Sequence, residues 1–291
     1  MPAYRFCRTD DIPFLVDALN TCYFVHFPDQ KPLTIVDFKR EIRELNVWSS
    51  SCMAAWEDGR PIAVVTGAKR EHETLVHRIG VHPDFQRRGH AQHLLESLSH
   101  KLSVLGPPKI VTEVPDDQPG VRDLFESVSY GPEGRFADFA LSAPLASPTA
   151  ASEVAPIGFD DLLSQGVLDS SVSRSWERAL VTLQNRKDQL EGLAIASDTH
   201  VEAYALFRDL PEHGRREIVA LGGTQHAQTD DVDTGVLLER LIRVVSQAGN
   251  LELTIPKISC EEVPWTLLES MGFQKGQTYT GYAEFPGSRM H

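Results

Sequence analysis

Gln86-Arg87-Arg88-Gly89-His90-Ala91 brings two guanidinium groups and a glycine to the start of a helix. The apolar run at 74–81 just before it reads as a strand. The residues after it, Ala91, Leu94, Leu95, Leu98, Leu102 and Leu105, recur at helical spacing. A strand that turns through a short basic loop into a helix aims free backbone N–H groups and a positive helix end at one point. That point suits a phosphate or pyrophosphate. Gly89 lets backbone approach the anion without a Cβ in the way. Ala91 keeps the first helical turn slim, and Arg87 and Arg88 add charge and donors. The competing reading of the bare pattern is a strand-to-helix turn with no ligand.

The longer run, Val81-His82-Pro83-Asp84-Phe85 followed by those six residues, resembles the acetyl-CoA-binding motif of the GNAT superfamily of N-acetyltransferases. The core of that motif is Q/R-x-x-G-x-G/A, and Gln86, Gly89 and Ala91 stand at its three defining positions. The resemblance implies acetyl-CoA as cosubstrate. It implies a mixed α/β sheet that splays at its middle, with the acyl-CoA between two parallel strands. It also implies that backbone amides of Arg78-Ile79-Gly80-Val81 polarise the thioester carbonyl and line the pantetheine arm. The expected cosubstrate-binding residues are therefore Ile79, Gly80, Val81, Gln86, Arg87, Arg88, Gly89, His90 and Ala91.

Acyl transfer from a thioester to an amine needs a base for the amine proton, a polarised carbonyl and, for some leaving groups, an acid. His77 lies on the same strand, four residues before Val81, and is the first choice of base. An ordinary imidazole pKa near ~6.5 suits that task. A strand histidine packed on a helix or facing solvent is the competing reading. Glu113, near the end of the strand after the motif helix, is the second candidate. Glu73, His72 and His82 read as surface groups. The family pattern then places a tyrosine as acid in N-x-x-A-x-x-[LF]-Y-x-x-x-G-[FY]. Here Gln118 and Val121 stand at the Asn and Ala positions, and Phe125 stands at the tyrosine position. Tyr130 falls at the terminal aromatic position, where it serves the core or substitutes as acid. A CoA thiol, with a pKa near ~8.5, leaves tolerably without an acid. Tyr23, Phe24, His26, Phe27 and Pro28 crowd one connection, as an apolar acceptor pocket or as helix packing.

These groups must be held by a larger frame. The chain has 291 residues, room for one large or two small domains. It repeats at an offset of 143: Leu94-Leu95-Glu96 recurs as Leu237-Leu238-Glu239, and Leu124-Phe125-Glu126-Ser127 as Leu267-Leu268-Glu269-Ser270. The element order between these markers also recurs, which favours an internal duplication. Residues 142–152 are rich in Pro, Ala, Ser and Thr and read as a seam. The expected division is a first GNAT-like domain at 1–143, a linker at 144–152 and a second, degenerate GNAT-like domain at 153–291. At the same offset the basic loop becomes Thr229-Asp230-Asp231-Val232-Asp233-Thr234. Those aspartates either repel a pyrophosphate or include a plain N-cap in Asp233. Either way, one cosubstrate site per chain is expected. A helix is expected over about 173–190, and Leu268 stands at the tyrosine position of the second copy.

A net charge of −13 argues against a general nucleic-acid or anionic-membrane binder. No apolar run approaches the ~20 residues that span a bilayer, and residues 1–11 carry no signal-peptide core, so the expected setting is cytoplasmic. Cys7, Cys22, Cys52 and Cys260 lack paired or metal-ligand spacing, and no metal is expected. The reading is a tandem GNAT-fold acyltransferase moving an acetyl group from acetyl-CoA to an amine of a small molecule or peptide. The alternative is a non-catalytic acyl-CoA-binding or regulatory module. The acceptor, the acyl-chain preference and the oligomeric state are not encoded in any motif.

Overall fold

The computed structural model describes residues 1–143, 145, 154–168, 172–198, 200–223, 234–247 and 251–286. The chain forms two compact units, Met1–Glu133 with Thr280–His291, and Gly134–Tyr279.

The first unit contains β1 (Ala3–Phe6), α1 (Ile12–Cys22), α2 (Ile35–Leu45), β2 (Met53–Glu57), β3 (Arg60–Lys69), β4 (Glu73–Val81), α3 (His90–Leu105), β5 (Lys109–Pro115) and α4 (Pro119–Ser127). Local chemistry sets several of these boundaries. Thr34 and Asp37 form a capping box that starts α2, with Asp37 N–H donating to Thr34 Oγ1 (3.1 Å) and Thr34 N–H to Asp37 Oδ2 (3.3 Å). Asn46, left-handed at φ 60°, ends it. The hairpin between β2 and β3 turns on Asp58 and Gly59, both at positive φ, as an Asp-Gly pair favours. β1 to β4 pair antiparallel in order, and β4 then pairs parallel with β5. Leu94, Leu95, Leu98 and Leu102 of α3 form the core of this unit with Ile62, Val65, Val76, Ile110, Val114 and Phe125.

The second unit runs through the rest of β6 (Gly131–Leu141), then β7 (Val154–Pro156), α5 (Phe159–Ser164), α6 (Leu180–Asn185), β8 (Glu191–Ala196), β9 (Val201–Leu210), β10 (Arg215–Gly223), α7 (Thr234–Ser246), β11 (Glu252–Ser259), α8 (Trp265–Ser270) and the start of β12 (Gln274–Glu284). Its strand order is β6-β11-β10-β9-β8-β7, with β10 and β11 parallel. The markers of the sequence repeat fall on α3 and α7, and on α4 and α8. Each unit has the same plan of an antiparallel run closed by one parallel pair, which is the mixed α/β architecture expected.

The units do not divide at the expected seam. Residues 144 and 146–152 lie outside the described ones. The compact division falls at 133/134 and 279/280, so each unit takes a terminal strand from the other half of the chain. Ala137, Phe139 and Leu141 of β6 are buried in the second unit's core. Tyr282 of β12 is buried in the first unit's core, and Ser99 Oγ donates to Glu284 Oε1 there at 2.7 Å. A composition-based boundary cannot see this exchange, because both strands look like ordinary β-rich tails. The helix expected over 173–190 is also shorter, confined to α6. The preceding residues bend to send Arg178 into the interior, and Ala179 enters α6 from extended backbone. Among the described residues, no helix is long and apolar enough to cross a membrane.

A chain stopped at residue 143 lacks Tyr282 and Glu284 and exposes the apolar side of β6. It is expected to show no cooperative urea transition by circular dichroism. In the full chain, Tyr282→Ala is expected to cost about 3 kcal/mol, read from the same denaturation curves.

Candidate functional site

β4 carries two different edges. Toward β3 it is paired from Ala63↔Val81 to Lys69↔Thr74. Toward β5 it is paired only at Glu73↔Lys109, Thr74↔Ile110 and Leu75↔Val111. Past that point the two parallel strands part. Thr112 Oγ1 donates to the Val76 carbonyl at 3.3 Å at the mouth of the opening.

The same stretch holds a β-bulge. Thr66 pairs with Arg78 and Gly67 with Val76, so His77 is the extra residue. Strand neighbours ordinarily point to opposite faces, and a bulge re-aims one of them. Here His77 and Arg78 both reach Glu41 of α2. Arg78 donates to both Glu41 oxygens at 2.6 and 2.8 Å, and His77 Nε2 lies 3.6 Å from Oε2. Burial pushes the Glu41 carboxyl up. The nearby His77 ring and the bonds and charge of Arg78 outweigh it and hold the group at about 2.

At the end of β4 the chain takes a 3-10 turn at Pro83–Phe85 and enters the basic loop. Arg87 and Gly89 are both left-handed, at φ 60° and 82°. A Cβ on Gly89 would meet nothing within 4 Å, so the space over this turn is open. Arg88 is folded back, its Nη2 donating to the Asp84 carbonyl (2.8 Å) and its guanidinium 5.1 Å from the Phe85 ring centre. The first bond of α3 runs from His93 N–H to the Gly89 carbonyl (3.0 Å). The amides of His90, Ala91 and Gln92 precede it, and first-turn amides have no acceptor within the helix. His90 turns its ring inward, buried against Tyr4, whose hydroxyl it bonds. Burial and the Arg88 charge lower its pKa, so it anchors the helix start as a neutral ring and offers the loop only backbone.

Gly80 has a packing reason. A Cβ there would sit 2.4 Å from the Cys22 carbonyl oxygen and 2.8 Å from Tyr23 Cα, so the end of α1 lies directly on β4. This brings the aromatic connection to the site. The Arg78 guanidinium lies 5.8 and 5.3 Å from the Tyr23 and Phe24 ring centres. His26 Nε2 donates to the Val81 carbonyl (2.9 Å) and lies 3.4 Å from Gln86 Nε2.

The structure thus gathers His77, Ile79, Gly80, Val81 and the 86–91 loop along one strand and its turn. Glu113 stands on β5, where it couples electrostatically to Arg70. Phe125 and Tyr130 are both buried and in edge contact at 5.1 Å, in the core of the first unit. Leu268 is fully buried in the second. Sequence reading passed over Glu41 and the contact made by His26. Glu41 had a signal: it lies between Phe38 and Leu45 on the buried stripe of α2, where an acid needs a partner. Among the described residues no group of three His, Cys, Asp or Glu is placed to hold a metal. All four cysteines are free, and burial pushes Cys7, Cys22 and Cys52 up to about 11, 12 and 12.

The second unit repeats the opening but fills it. β10 and β11 pair only from Arg215↔Glu252 to Glu217↔Thr254. The bulge residue of β10 is Val219, in place of a histidine. Arg178, 1% exposed, lies where the strands part. It donates to the Ile218 carbonyl (2.8 Å) and the Pro256 carbonyl (3.3 Å), and to Glu262 at 2.9 and 3.1 Å. The acidic loop at Thr229-Asp230-Asp231-Val232-Asp233 lies outside the described residues.

A parallel pair that parts beside a bulge, next to a glycine turn opening a helix, defines an acyltransferase fold of the GNAT type. The sequence profile of the acetyltransferase (GNAT) family matches residues 12–130, within the first unit. An acetyltransferase of Pectobacterium atrosepticum is 29% identical over 126 residues, 43% of this chain and 85% of that protein. Over the whole chain, the fold is similar to a GCN5-related N-acetyltransferase from Sphaerobacter thermophilus (TM-score 0.69, 14% identity, covering 98% of this chain and 96% of that one). It is also similar to a tandem GNAT protein from the clavulanic acid biosynthesis pathway (TM-score 0.68, 12% identity, 99% of each chain). At these identities the two structures speak to fold: this chain carries two GNAT folds in tandem.

Glu41 and Asp11 set an acid limit on the first unit. Asp11, bonded by Arg5 at 2.7 and 2.8 Å and by Arg8 N–H at 2.8 Å, is also held at about 2. Both groups sit below their ordinary values of 4.5 and 3.8, so their contribution is complete above those values and is lost as pH falls toward 2. Urea midpoints are expected to hold down to about pH 5 and then drop. Glu41→Gln is expected to start lower at pH 7 and to lose less on acidification.

Proposed function

We propose that the first unit transfers an acetyl group from acetyl-CoA to an amine of a small molecule or peptide. The observation that carries this reading is the parted edge of β4, which ends in the open glycine turn before α3. The residues present fit the cosubstrate. The amides at the start of α3, with Arg87, Arg88 and the side chain of Gln86, would hold the pyrophosphate. The backbone of Ile79, Gly80 and Val81 would hold the pantetheine arm. Gly89 leaves room that a side chain would fill. When bound, acetyl-CoA supplies an acyl group already activated as a thioester.

His77, the bulge residue of β4 beside the parted edge, takes the amine proton. The backbone N–H groups of β4 on the open edge polarise the acyl carbonyl. Glu113 is the alternative base. Phe125 has no proton to give a departing thiolate, and its buried ring favours a second reading: a module that binds acyl-CoA without turnover. We assign one cosubstrate site per chain, since Arg178 and Glu262 occupy the corresponding opening of the second unit. No metal, nucleic acid or membrane enters the reaction, and the setting is cytoplasmic.

Titration calorimetry with acetyl-CoA is expected to give about one site per chain. Gly89→Asp, strained at its positive φ and negative at an anion site, is expected to raise Kd at least ~10-fold. Thiol release from acetyl-CoA over a panel of amines separates the two readings. Turnover that His77→Gln cuts by ~10²–10⁴-fold, with Kd little changed, supports the enzyme. Tight binding with no turnover on any amine supports the module.

A further inference from the structure

Glu41 sits in contact with the proposed base and has no part yet in the chemistry. It is mostly enclosed, with a side-chain exposure of 18%. Two cationic or potentially cationic groups face it from one point of β4. Arg78 already gives the carboxylate two short bonds, so His77 is not needed to satisfy it. The approach of His77 Nε2 to 3.6 Å is produced by the bulge, which a regular strand would not allow.

We infer that Glu41 is a positioning residue for His77, orienting the ring, fixing which nitrogen carries the proton and stabilising its protonated form. This rests on His77 being the base. A carboxylate beside Nε2 favours the tautomer with its N–H on that nitrogen. The negative charge then stabilises the imidazolium that forms. Glu41 is not itself the acceptor. Its two partners hold it ionised down to about 2, so its affinity for a proton is too small to remove one from an amine. Arg78 moderates the effect, since its charge opposes that of the imidazolium. The other elements around His77 contribute less. β3 offers Thr66 and Gly67 at the bulge, neither titratable. β5 offers Glu113, whose charge is coupled to Arg70. The end of α1 offers the Tyr23 and Phe24 rings, which engage Arg78.

The test is the titration of the His77 ring, followed by nitrogen-detected NMR in the full chain and assigned by its loss in His77→Gln. In the wild type, the neutral ring is expected to carry its proton on Nε2. In Glu41→Gln the midpoint is expected to fall by about one pH unit and the tautomer preference to be lost. Glu41→Asp, which keeps the charge, should retain most of the wild-type midpoint. It also serves if the glutamine variant fails to fold. Acetyl-CoA affinity is expected to stay within about twofold of wild type in both Glu41 variants. A midpoint and tautomer unchanged in both variants would overturn the role of Glu41 and leave the base reading standing. Thiol release over the amine panel that survives in His77→Gln would overturn the base reading itself, and Glu41's role with it.

Discussion

The parting of two parallel strands after Leu75 and Val111 is the constraint around which the first unit is arranged. Separating strands inside a sheet strips backbone groups of their ladder partners, and buried backbone groups without partners are costly. Something must answer them. The Thr112 hydroxyl answers the Val76 carbonyl, and the His26 ring answers the Val81 carbonyl at the far end. The bulge at His77, the absent Cβ of Gly80 and the aromatic connection after α1 all serve the same opening. They let a strand lose one neighbour and still be held by β3 and by helices.

The second unit meets the same constraint by a different route. Its opening is answered from within by a guanidinium that reaches both strands, through the Ile218 and Pro256 carbonyls. A buried arginine is expensive unless its charge and donors are matched. Glu262, itself fully enclosed, supplies the match, and Arg174 adds a second cation at 3.4 Å. Such a network is held by its own completeness. Loss of Glu262 would leave the buried Arg178 charge without its carboxylate. This internal filling makes the second fold self-sufficient where the first is left open.

Local chemistry was legible in the sequence, and arrangement at a distance was not. The glycine turn could be read because the residues that build an anion site there are contiguous. The hairpin at Asp58 and Gly59, the cap at Thr34 and the extent of α2 were legible for the same reason. His77 could be named as a candidate, but its direction could not. One extra residue in a strand changes which face a side chain takes, and no pattern of residue types announces a bulge. Glu41 was visible only as an acid on an apolar stripe. The run before α6 has helical spacing in Trp176, Leu180 and Leu183, yet a buried arginine overrides it. The exchange of β6 and β12 leaves no trace in composition, because each strand has the pattern its own half of the chain would also require.

That exchange has a consequence in time. Residue 133 leaves the ribosome well before residues 280–284 are made. At about 5–20 residues per second the delay is roughly 7–30 s. Through that interval the first unit is waiting for Tyr282 and Glu284, while β6 is waiting for β11. Domains of multidomain chains commonly mature one after the other from the N-terminus. Here the first unit cannot finish early, because its native core closes only after the residues of the second unit have been made.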